Sequence, residues 1–350
     1  AVAGDPELPA VRRVLSPHTG SPQTHLLSNG HYCVMLTSAG SGYSRWRDID
    51  VTRWRSDGTR DDMGSYIWLR DAVSGAVWSA GYQPSAVEPD GYEVSFTEDR
   101  AEFVRQDGTL TTTLVVAVSP EDHAEVRRVS VANAGGKSRD IELTSYAELA
   151  LAPAAADMAH PAFSKLFVQT EYLPRLGAIL ATRRQRSVDE PALWAAHLTL
   201  VEGESIGVPE IETDRAGFLG RGREIRAPMA VLEGWPLSNT TGTVLDPVFA
   251  IRRRVRIPPH ETVRIAFWTI VAPTRDALPA QIDKHHDAAA FDRTLTLAWT
   301  QAQVQLAHFG IAPDQAGLFQ RIAGYVLYPA RAARPSAELI ARGAGGPDAL

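Results

Sequence analysis

The sequence predicts a mainly β protein, in which a large antiparallel β-sandwich is followed by α-helices. Strand-like alternation of apolar and polar residues runs from about residue 30 to residue 272, and a helical period replaces it after Pro273. The composition, with 44% hydrophobic and 22% charged residues in a chain of 350, is that of an ordinary globular protein. A chain of this length and composition can bury the large core that a sandwich requires.

The strand pattern is clearest at residues 91–118. Tyr92, Val94 and Phe96 alternate with polar neighbours, and Asp107-Gly108 separates two further strand-like runs. An Asp-Gly pair between such runs is a strong hairpin signal. Further strands are predicted near residues 126–131, 139–149, 163–170, 177–184, 193–201, 248–257 and 262–271. Many strands with short turns and no fixed-period repeat favour a sandwich over a propeller or solenoid.

Two helices are predicted after the strands. One helical face carries apolar residues three or four apart from Phe291 to Phe309, and Gly310 is a typical C-terminal stop. Pro313 opens a second helix that ends before Pro329. We therefore expect a sandwich domain at residues 1–285, a helical linker at 286–332 and a loop at 333–350. Both helices are amphipathic and need a surface to pack against.

Charge, cysteine content and hydropathy exclude several classes of function. The net charge is −6 and the isoelectric point is near 6.0, without the basic stripe of a nucleic-acid-binding protein. The single cysteine, Cys33, lies in an apolar run and is interpreted as a buried thiol. No apolar run reaches the ~20 residues that span a bilayer. The first residues carry no signal-peptide pattern, so a cytoplasmic location is expected, and both ends are interpreted as cut points in a longer chain.

Residues 27–84 contain a dense mixture of tryptophan, arginine and aspartate. Four of the eight tryptophans lie here, interleaved with charged residues: Trp46, Trp54, Trp68 and Trp78. Sugar rings stack on aromatic faces, and guanidinium or carboxylate groups bind vicinal hydroxyls, so the mixture is typical of carbohydrate recognition. The alternative is that the tryptophans fill the sandwich core and that Arg–Asp pairs join neighbouring strands.

Catalytic and metal-binding patterns are weak. Asp61 and Asp62 are adjacent, and adjacent residues of a strand face opposite sides of the sheet. The two catalytic carboxyl groups of a glycosidase must face the same sugar, so this pair is a poor candidate. His285 and His286 have no further ligands at metal-binding spacing, and no Gly-x-Ser-x-Gly nucleophile motif is present. We predict no catalytic residue, no metal site and no cofactor in this chain.

Several short stretches resemble the amino-terminal domain of glycoside hydrolase family 94, formerly glycosyltransferase family 36. They are residues 39–44 (AGSGYS), 52–55 (TRWR), 77–81 (VWSAG), 160–172 (HPAFSKLFVQTEY), 239–247 (NTTGTVLDP) and 297–300 (LAWT). These stretches are most similar to the phosphorylase-like part of cyclic β-1,2-glucan synthases. The resemblance implies a large antiparallel β-super-sandwich, similar to galactose mutarotase, then an α-helical linker and an (α/α)6 catalytic barrel.

The resemblance also implies an activity that this chain would share only as part of a longer protein. The family reaction is inverting phosphorolysis of β-glucosides, with inorganic phosphate as co-substrate. One carboxylic acid then suffices, because phosphate replaces the activated water of a hydrolase. The acid and the phosphate ligands belong to the barrel, so this chain alone is expected to be inactive. Expected partners are a β-glucan or oligosaccharide, the downstream barrel and a second subunit, with no nucleic acid. Any tether to the inner membrane would lie in other parts of a larger synthase.

The resemblance places candidate substrate-binding or barrel-facing residues in two segments. The first contributes Tyr43, Arg45, Trp46, Arg53, Trp54, Arg55, Asp61 and Asp62. The second, residues 160–165, is expected to be a protruding loop that reaches toward the partner subunit's acceptor subsite. There Phe163 would stack on a glucose face beside Ser164, and Lys165 would donate to a hydroxyl. The alternative is an ordinary surface loop with Phe163 packed into the sandwich.

Three functions remain open at this point. The chain is a non-catalytic domain of a glucan phosphorylase or synthase, a stand-alone carbohydrate-binding module, or a purely structural sandwich. Fold alone does not separate them.

Overall fold

The computed structural model describes residues 11–185, 190, 192–328 and 335–342, and it forms a sandwich of antiparallel sheets followed by helices. The described strands are β1 (Arg12–Val14), β2 (Thr24–Ser28), β3 (Tyr32–Thr37), β4 (Gly42–Trp46), β5 (Ile49–Thr52), β6 (Tyr66–Asp71), β7 (Val77–Ser79), β8 (Gly91–Phe96), β9 (Ala101–Asp107), β10 (Leu110–Val118), β11 (Ala124–Asn133), β12 (Arg139–Ala152), β13 (Val168–Leu173), β14 (Ala178–Arg183), β15 (Trp194–Glu202), β16 (Glu204–Asp214), β17 (Gly242–Thr243), β18 (Pro247–Ile257) and β19 (Thr262–Ala272). The described helices are α1 (Ala154–Ala159), α2 (Pro161–Lys165), α3 (Arg215–Leu219), α4 (Met229–Leu232), α5 (Leu278–His285), α6 (Ala289–Phe309), α7 (Pro313–Leu327) and α8 (Ala337–Arg342).

Within the described ranges the strands form two sheets. The first sheet has ten strands in the order β1-β8-β9-β10-β11-β19-β15-β14-β13-β17. The second has nine, in the order β16-β18-β12-β5-β4-β3-β2, with β6 paired to β12 and β7 paired to β6. The main core lies between the sheets and includes Val34, Phe103, Ile141 and Phe249. Every ladder pairing given for these strands is antiparallel, as the sequence predicts.

The hairpin of β9 and β10 shows how the sequence sets the register. Asp107 pairs with Leu110 across the turn, and Gly108 has a φ of +59°, which a glycine adopts without steric cost. Leu114 faces the core between the sheets, whereas its neighbour Val115 faces outward. Both faces are apolar because helices cover the outer face of the first sheet.

The helices after the strands cover two different parts of the sandwich. Leu278 and Ile282 of α5 and Phe291 of α6 pack on the outer face of the first sheet, around Trp268. Helix α7 lies along β2, at the edge of the second sheet, where a Cβ on Gly324 would come within 2.8 Å of the Thr24 hydroxyl. The chain therefore wraps from one sheet to the edge of the other.

The mainly β fold with C-terminal helices is confirmed, and the hairpin lies where the sequence predicts it. The predicted helices correspond to α6 and α7. Helix α5 and strand β16 were not predicted, and α8 lies inside the range 333–350 that was expected to be a loop; residues 343–350 lie outside the described residues. The expectation of a loop at residues 160–165 is wrong, because α2 (Pro161–Lys165) lies there and follows α1 after His160.

Candidate functional site

A polar cleft of about 510 Å³ lies on the outer face of the second sheet. Its floor is formed by Gly64, Tyr66 and Tyr146, which belong to or precede β6 and β12. Helix α2 and residues 53–63 form one side, and residues 215–225 form the other. The cleft brings together four residues that the sequence predicted: Arg53, Arg55, Asp62 and Lys165.

An ion-pair network builds the inner wall of the cleft. Arg53 is only 5% exposed, and its guanidinium donates to both carboxylate oxygens of Asp157 at 2.9 and 3.0 Å. Burial opposes the charge on Asp157, but the Arg53 guanidinium outweighs burial and lowers the Asp157 pKa. The same guanidinium lies 3.5 Å from Glu148 and 3.7 Å from Asp246. Arg53 therefore anchors α1 to the sheet.

Two further cations complete this network. Lys165 Nζ donates to Asp246 at 2.7 Å, and Arg215 donates to Glu148 at 2.7 Å. Burial raises the Glu148 pKa, but Arg215 and then Arg53 outweigh it, so the net shift is downward. Lys165 is thus a wall residue whose ammonium group is already bonded, and a ligand would have to share it with Asp246.

The rim of the cleft carries less constrained charges. Arg55 is exposed and makes no hydrogen bond within the described part of the chain. Arg60 lies 3.9 Å from Asp62, and both side chains reach solvent. Guanidinium and carboxylate groups at a rim can bind the hydroxyl groups of a sugar without breaking a structural pair.

Tyr43, Arg45 and Trp54 belong to a second cluster, next to the cleft. The Tyr43 ring lies 5.2 Å from Trp54, which contacts Tyr328 edge to face at 5.6 Å. The Arg45 guanidinium lies 5.2 Å from the Tyr43 ring and donates to Asp50 at 2.6 Å. Tyr43 is only 7% exposed, so this cluster does not present an open aromatic surface to a ligand. Its contacts instead hold Tyr328, the residue that follows α7, against the sandwich.

Trp46 does not face a ligand or a neighbouring domain. It is 6% exposed and belongs to the core between the sheets, as does Trp78, and Trp68 is fully buried. The reason is the alternation along β4, which turns Tyr43 and Arg45 outward and Ser44 and Trp46 inward. The core-filling alternative is correct for Trp46 and Trp78, and the expectation for Trp46 is wrong. Trp68 is buried instead on the outer face of the second sheet, with Tyr66 and Tyr146.

Asp61 and Asp62 point in different directions. Asp62 lines the cleft, whereas Asp61 accepts hydrogen bonds from Thr37 at 2.7 Å and from Ser41. Burial raises the pKa of Asp61 to about 6. The two carboxylates do not converge on one ligand.

Within α2 only part of the predicted set is accessible. Phe163 is 53% exposed and contacts Phe167 at 5.0 Å, so it is not packed into the sandwich. Ser164 is 3% exposed, and Arg183 donates both to its carbonyl at 2.7 Å and to its hydroxyl at 3.1 Å. The expectation that Ser164 contacts substrate is therefore wrong, because its hydroxyl is used inside the fold.

Sequence reasoning missed Tyr66, Tyr146, Glu148, Arg215 and Arg223 as cleft residues. They come from β6, β12 and the segment around α3, which are far apart in the chain, and no local motif links them. Among residues 11–185, 190, 192–328 and 335–342, no group of three or more His, Cys, Asp or Glu side chains is arranged to hold a metal ion. No helix of the described ranges is long and apolar enough to cross a membrane.

Comparison with known proteins gives consistent matches. The family model "Glycosyl hydrolase 94, supersandwich domain" matches residues 8–288. The chain is 42% identical over 342 residues to the cyclic beta-(1,2)-glucan synthase NdvB of Rhizobium meliloti (strain 1021), which covers 98% of this chain and 12% of that protein. It is 26% identical over 323 residues to the N,N'-diacetylchitobiose phosphorylase of Vibrio furnissii, covering 91% of this chain and 39% of that protein.

A solved structure of a galactose mutarotase related enzyme from Lactobacillus acidophilus aligns with a TM-score of 0.38 at 8% identity, covering 71% of this chain and 97% of that chain. The chain thus spans only a minor part of the length of its glucan synthase and phosphorylase relatives. The family match over most of the chain, on a sandwich of two antiparallel sheets, shows that this chain belongs to glycoside hydrolase family 94 and contains the supersandwich domain of that family.

Proposed function

We propose that this chain is the non-catalytic sandwich and linker part of a β-glucan-acting glycosyltransferase or phosphorylase, similar to cyclic β-1,2-glucan synthase. The observation that carries the proposal is the 42% identity over 98% of the chain to a protein of which it covers 12%. In such a protein this part would shape the substrate site and the subunit interface. A catalytic barrel in another part of the longer protein would supply the acid for phosphorolysis. Inorganic phosphate would be the co-substrate, and the proposed location is the cytoplasm.

The outer face of α7 supports a further domain as partner. Leu318, Phe319, Ile322, Tyr325 and Val326 are each 45–79% exposed and recur at intervals of one, three or four residues along the helix. Such an apolar stripe on a soluble protein is typical of an interaction surface. We propose that it packs against the catalytic barrel of the longer protein.

The cleft supports contact with a glucan. Its rim offers Arg55, Arg60 and Asp62 as hydrogen-bonding groups, and its floor contains Tyr66 and Tyr146. Several of the cations that line the cleft are paired with carboxylates, as Arg53 is with Asp157 and Lys165 is with Asp246. Guanidinium and carboxylate groups side by side can bind the hydroxyl groups of a sugar. We propose that the cleft contributes to the glucan site once the barrel closes over it.

Helices α1 and α2 support a subunit contact. Met158, Phe163 and Leu166 are 44–58% exposed and form an apolar projection beside the cleft. Interfaces are enriched in methionine and aromatic residues. We propose that this projection contacts the second subunit of a homodimer and that Phe163 reaches toward the partner's acceptor subsite.

Titration of the purified chain with β-1,2-gluco-oligosaccharides by calorimetry tests this function against a stand-alone carbohydrate-binding module. The proposal expects no saturable binding below about 1 mM, because it assigns the rest of the glucan site to the barrel of the longer protein. Saturable binding tighter than about 0.1 mM, lost in Arg55→Ala, would favour the stand-alone module.

A further inference from the structure

A small cavity lies where α7 packs against the edge of the sandwich. It has a volume of about 50 Å³, and none of the described residues that line it also lines the cleft. Its walls are formed by Arg12 of β1, residues 21–24, and Arg321, Gly324, Tyr325 and Tyr328. Space of this size holds a few water molecules or one compact ion, and it is well below the ~300 Å³ of most sites for organic ligands.

Two arginines line this cavity without a carboxylate to balance their charge. Arg12 and Arg321 form no ion pair within the described part of the chain, and no aspartate or glutamate is among the described residues of the cavity wall. Burial lowers the pKa of Arg12 to about 10, and the charge of the nearby Arg321 adds to this effect. Two like charges beside one space repel each other, and an anion between them would remove that cost.

The Arg12 side chain is held in place beside the cavity. Its Nη2 donates to the backbone carbonyl of Thr24, and its guanidinium lies 4.8 Å from the centre of the Phe96 ring. It makes no other hydrogen bond within the described residues, so its remaining N–H groups are open to a ligand. The Thr24 hydroxyl is buried there without a hydrogen-bond partner, and Thr24 is only 2% exposed. An acceptor in the cavity would satisfy both side chains.

We propose that this cavity binds a phosphate group, held by the guanidinium groups of Arg12 and Arg321 and by the hydroxyl group of Thr24. Guanidinium groups match the spacing of phosphate oxygens, and donors from three separate elements can each bind a different oxygen of a tetrahedral ion. A planar carboxylate has fewer oxygens and less charge, so it would satisfy fewer of these donors. The phosphate site lies outside the cleft and does not rest on the proposed function.

A bound phosphate group would join α7 to the sandwich. Arg12 belongs to β1 and Thr24 to β2, whereas Arg321 belongs to α7. Arg321 directly follows Gln320, whose side chain already pairs with the backbone of Leu26 in β2. The ion would therefore strengthen the attachment of α7 at a point where a side-chain contact already holds it.

The phosphate group is either free or carried by a small molecule. Arg12 also lines a second cavity of about 330 Å³, together with Leu306 and Phe309 of α6. This larger space is in the range of sites for small organic ligands and would hold the organic part of a phosphate monoester. Inorganic phosphate and glucose 6-phosphate serve as probes of the two sources.

Titration of the purified chain with inorganic phosphate, followed by NMR at the backbone amides, tests the site. The ionic strength is kept constant with sodium chloride, so that general screening does not change. Saturable binding with a Kd below about 10 mM is expected, and Arg12→Gln and Arg321→Gln should each raise the Kd about tenfold or more. The matched control is Arg13→Gln, which removes the same charge from the next residue of β1. Its side chain pairs with Glu93 at 3.5 Å, and its loss should leave the Kd unchanged.

The location of the shift changes gives a second readout. The saturable changes should include the amides of Thr24 and Gly324, which line the cavity. Arg321 is exposed, so Arg321→Gln tests the site even if Arg12→Gln does not fold. A Kd for glucose 6-phosphate at least about tenfold below that of inorganic phosphate would assign a monoester, and a similar Kd would assign free phosphate. Absence of saturation, an unchanged Kd in Arg321→Gln, or equally tight binding of acetate would overturn the proposal.

Discussion

The side-chain amide of Gln320 pairs with both backbone polar groups of Leu26. The Leu26 amide donates to Oε1 and the Gln320 Nε2 donates to the Leu26 carbonyl, each at 2.9 Å, across 294 positions of the chain. Leu26 lies in β2, the edge strand of the second sheet. A helix side chain thus takes the place of a neighbouring strand and closes an edge that would otherwise be open to another chain.

Gln320→Ala should destabilise the chain by about 1–2 kcal/mol, because two part-buried backbone groups lose their partners. Urea unfolding followed by circular dichroism measures this change. Gln303→Ala on α6 is the matched control, since the Gln303 side chain makes no hydrogen bond within the described residues and its loss should change stability by less than about 0.5 kcal/mol. Equal effects of the two substitutions would show that the pairing with Leu26 contributes nothing.

Arg53→Ala should be more damaging, with a loss of about 3–5 kcal/mol, because it leaves the buried Asp157 carboxylate without its guanidinium partner. The rate of hydrogen exchange at the backbone amides of α1 should rise together with this loss, since Asp157 joins α1 to Arg53 and so to the sheet. Arg55→Ala, two positions away and exposed, should cost less than about 0.5 kcal/mol. A cost below about 1 kcal/mol for Arg53→Ala would contradict the role of the ion pair.

The burial of His197 predicts that the chain loses stability in acid. Burial lowers the pKa of this histidine to about 3, while its ring nitrogens contact Ser145 at 2.9 Å and Thr269 at 3.1 Å. A histidine with a lowered folded pKa stabilises the native state above about pH 6.5, and this contribution is lost as the pH falls toward 3. Between pH 7 and pH 5, His197→Gln should therefore flatten the decline in unfolding free energy by about 2 kcal/mol. An unchanged slope in urea titrations at several pH values would refute this assignment.

Lys165→Ala tests the contribution of α2 to a glucan site in a longer protein that contains this chain and a catalytic barrel. We expect the KM for glucan or acceptor to rise roughly tenfold, the ~1.4 kcal/mol of one charged hydrogen bond, with little change in kcat. Asp246→Asn is the control, because it breaks the same ion pair without removing the ammonium group. Unchanged kinetics in Lys165→Ala, with an unchanged dimer, would remove this segment from the active site.

The regular parts of the fold could be predicted from local patterns. The hairpin at Asp107-Gly108 and helices α6 and α7 depend on turn chemistry and apolar spacing that a short window contains. Strand β16 was missed because its apolar residues are interrupted by Gly207 and Pro209, and its register shifts between Ile206 and Glu210. Patterns of this kind do not show that a bulged strand still pairs.

The candidate site could be predicted only in part, since exposure depends on long-range packing. Trp46 and Trp54 have similar sequence surroundings, yet β4 turns Trp46 into the core while Trp54 meets Tyr328 from the far end of the chain. The contact of Asp61 with Tyr328 spans 267 positions, and no motif near Asp61 predicts it. Arg53, by contrast, lies in a recognisable motif and does line the cleft.

Release of α-glucose 1-phosphate tests the central claim most directly. The purified chain is incubated with inorganic phosphate and β-1,2-glucan or cellobiose, and a longer protein that includes the barrel serves as the positive control. We predict no release above a blank without protein, because the proposed function assigns the acid for phosphorolysis to a catalytic barrel of the longer protein. Release that increases in proportion to the concentration of the purified chain would contradict the claim that this sandwich is non-catalytic.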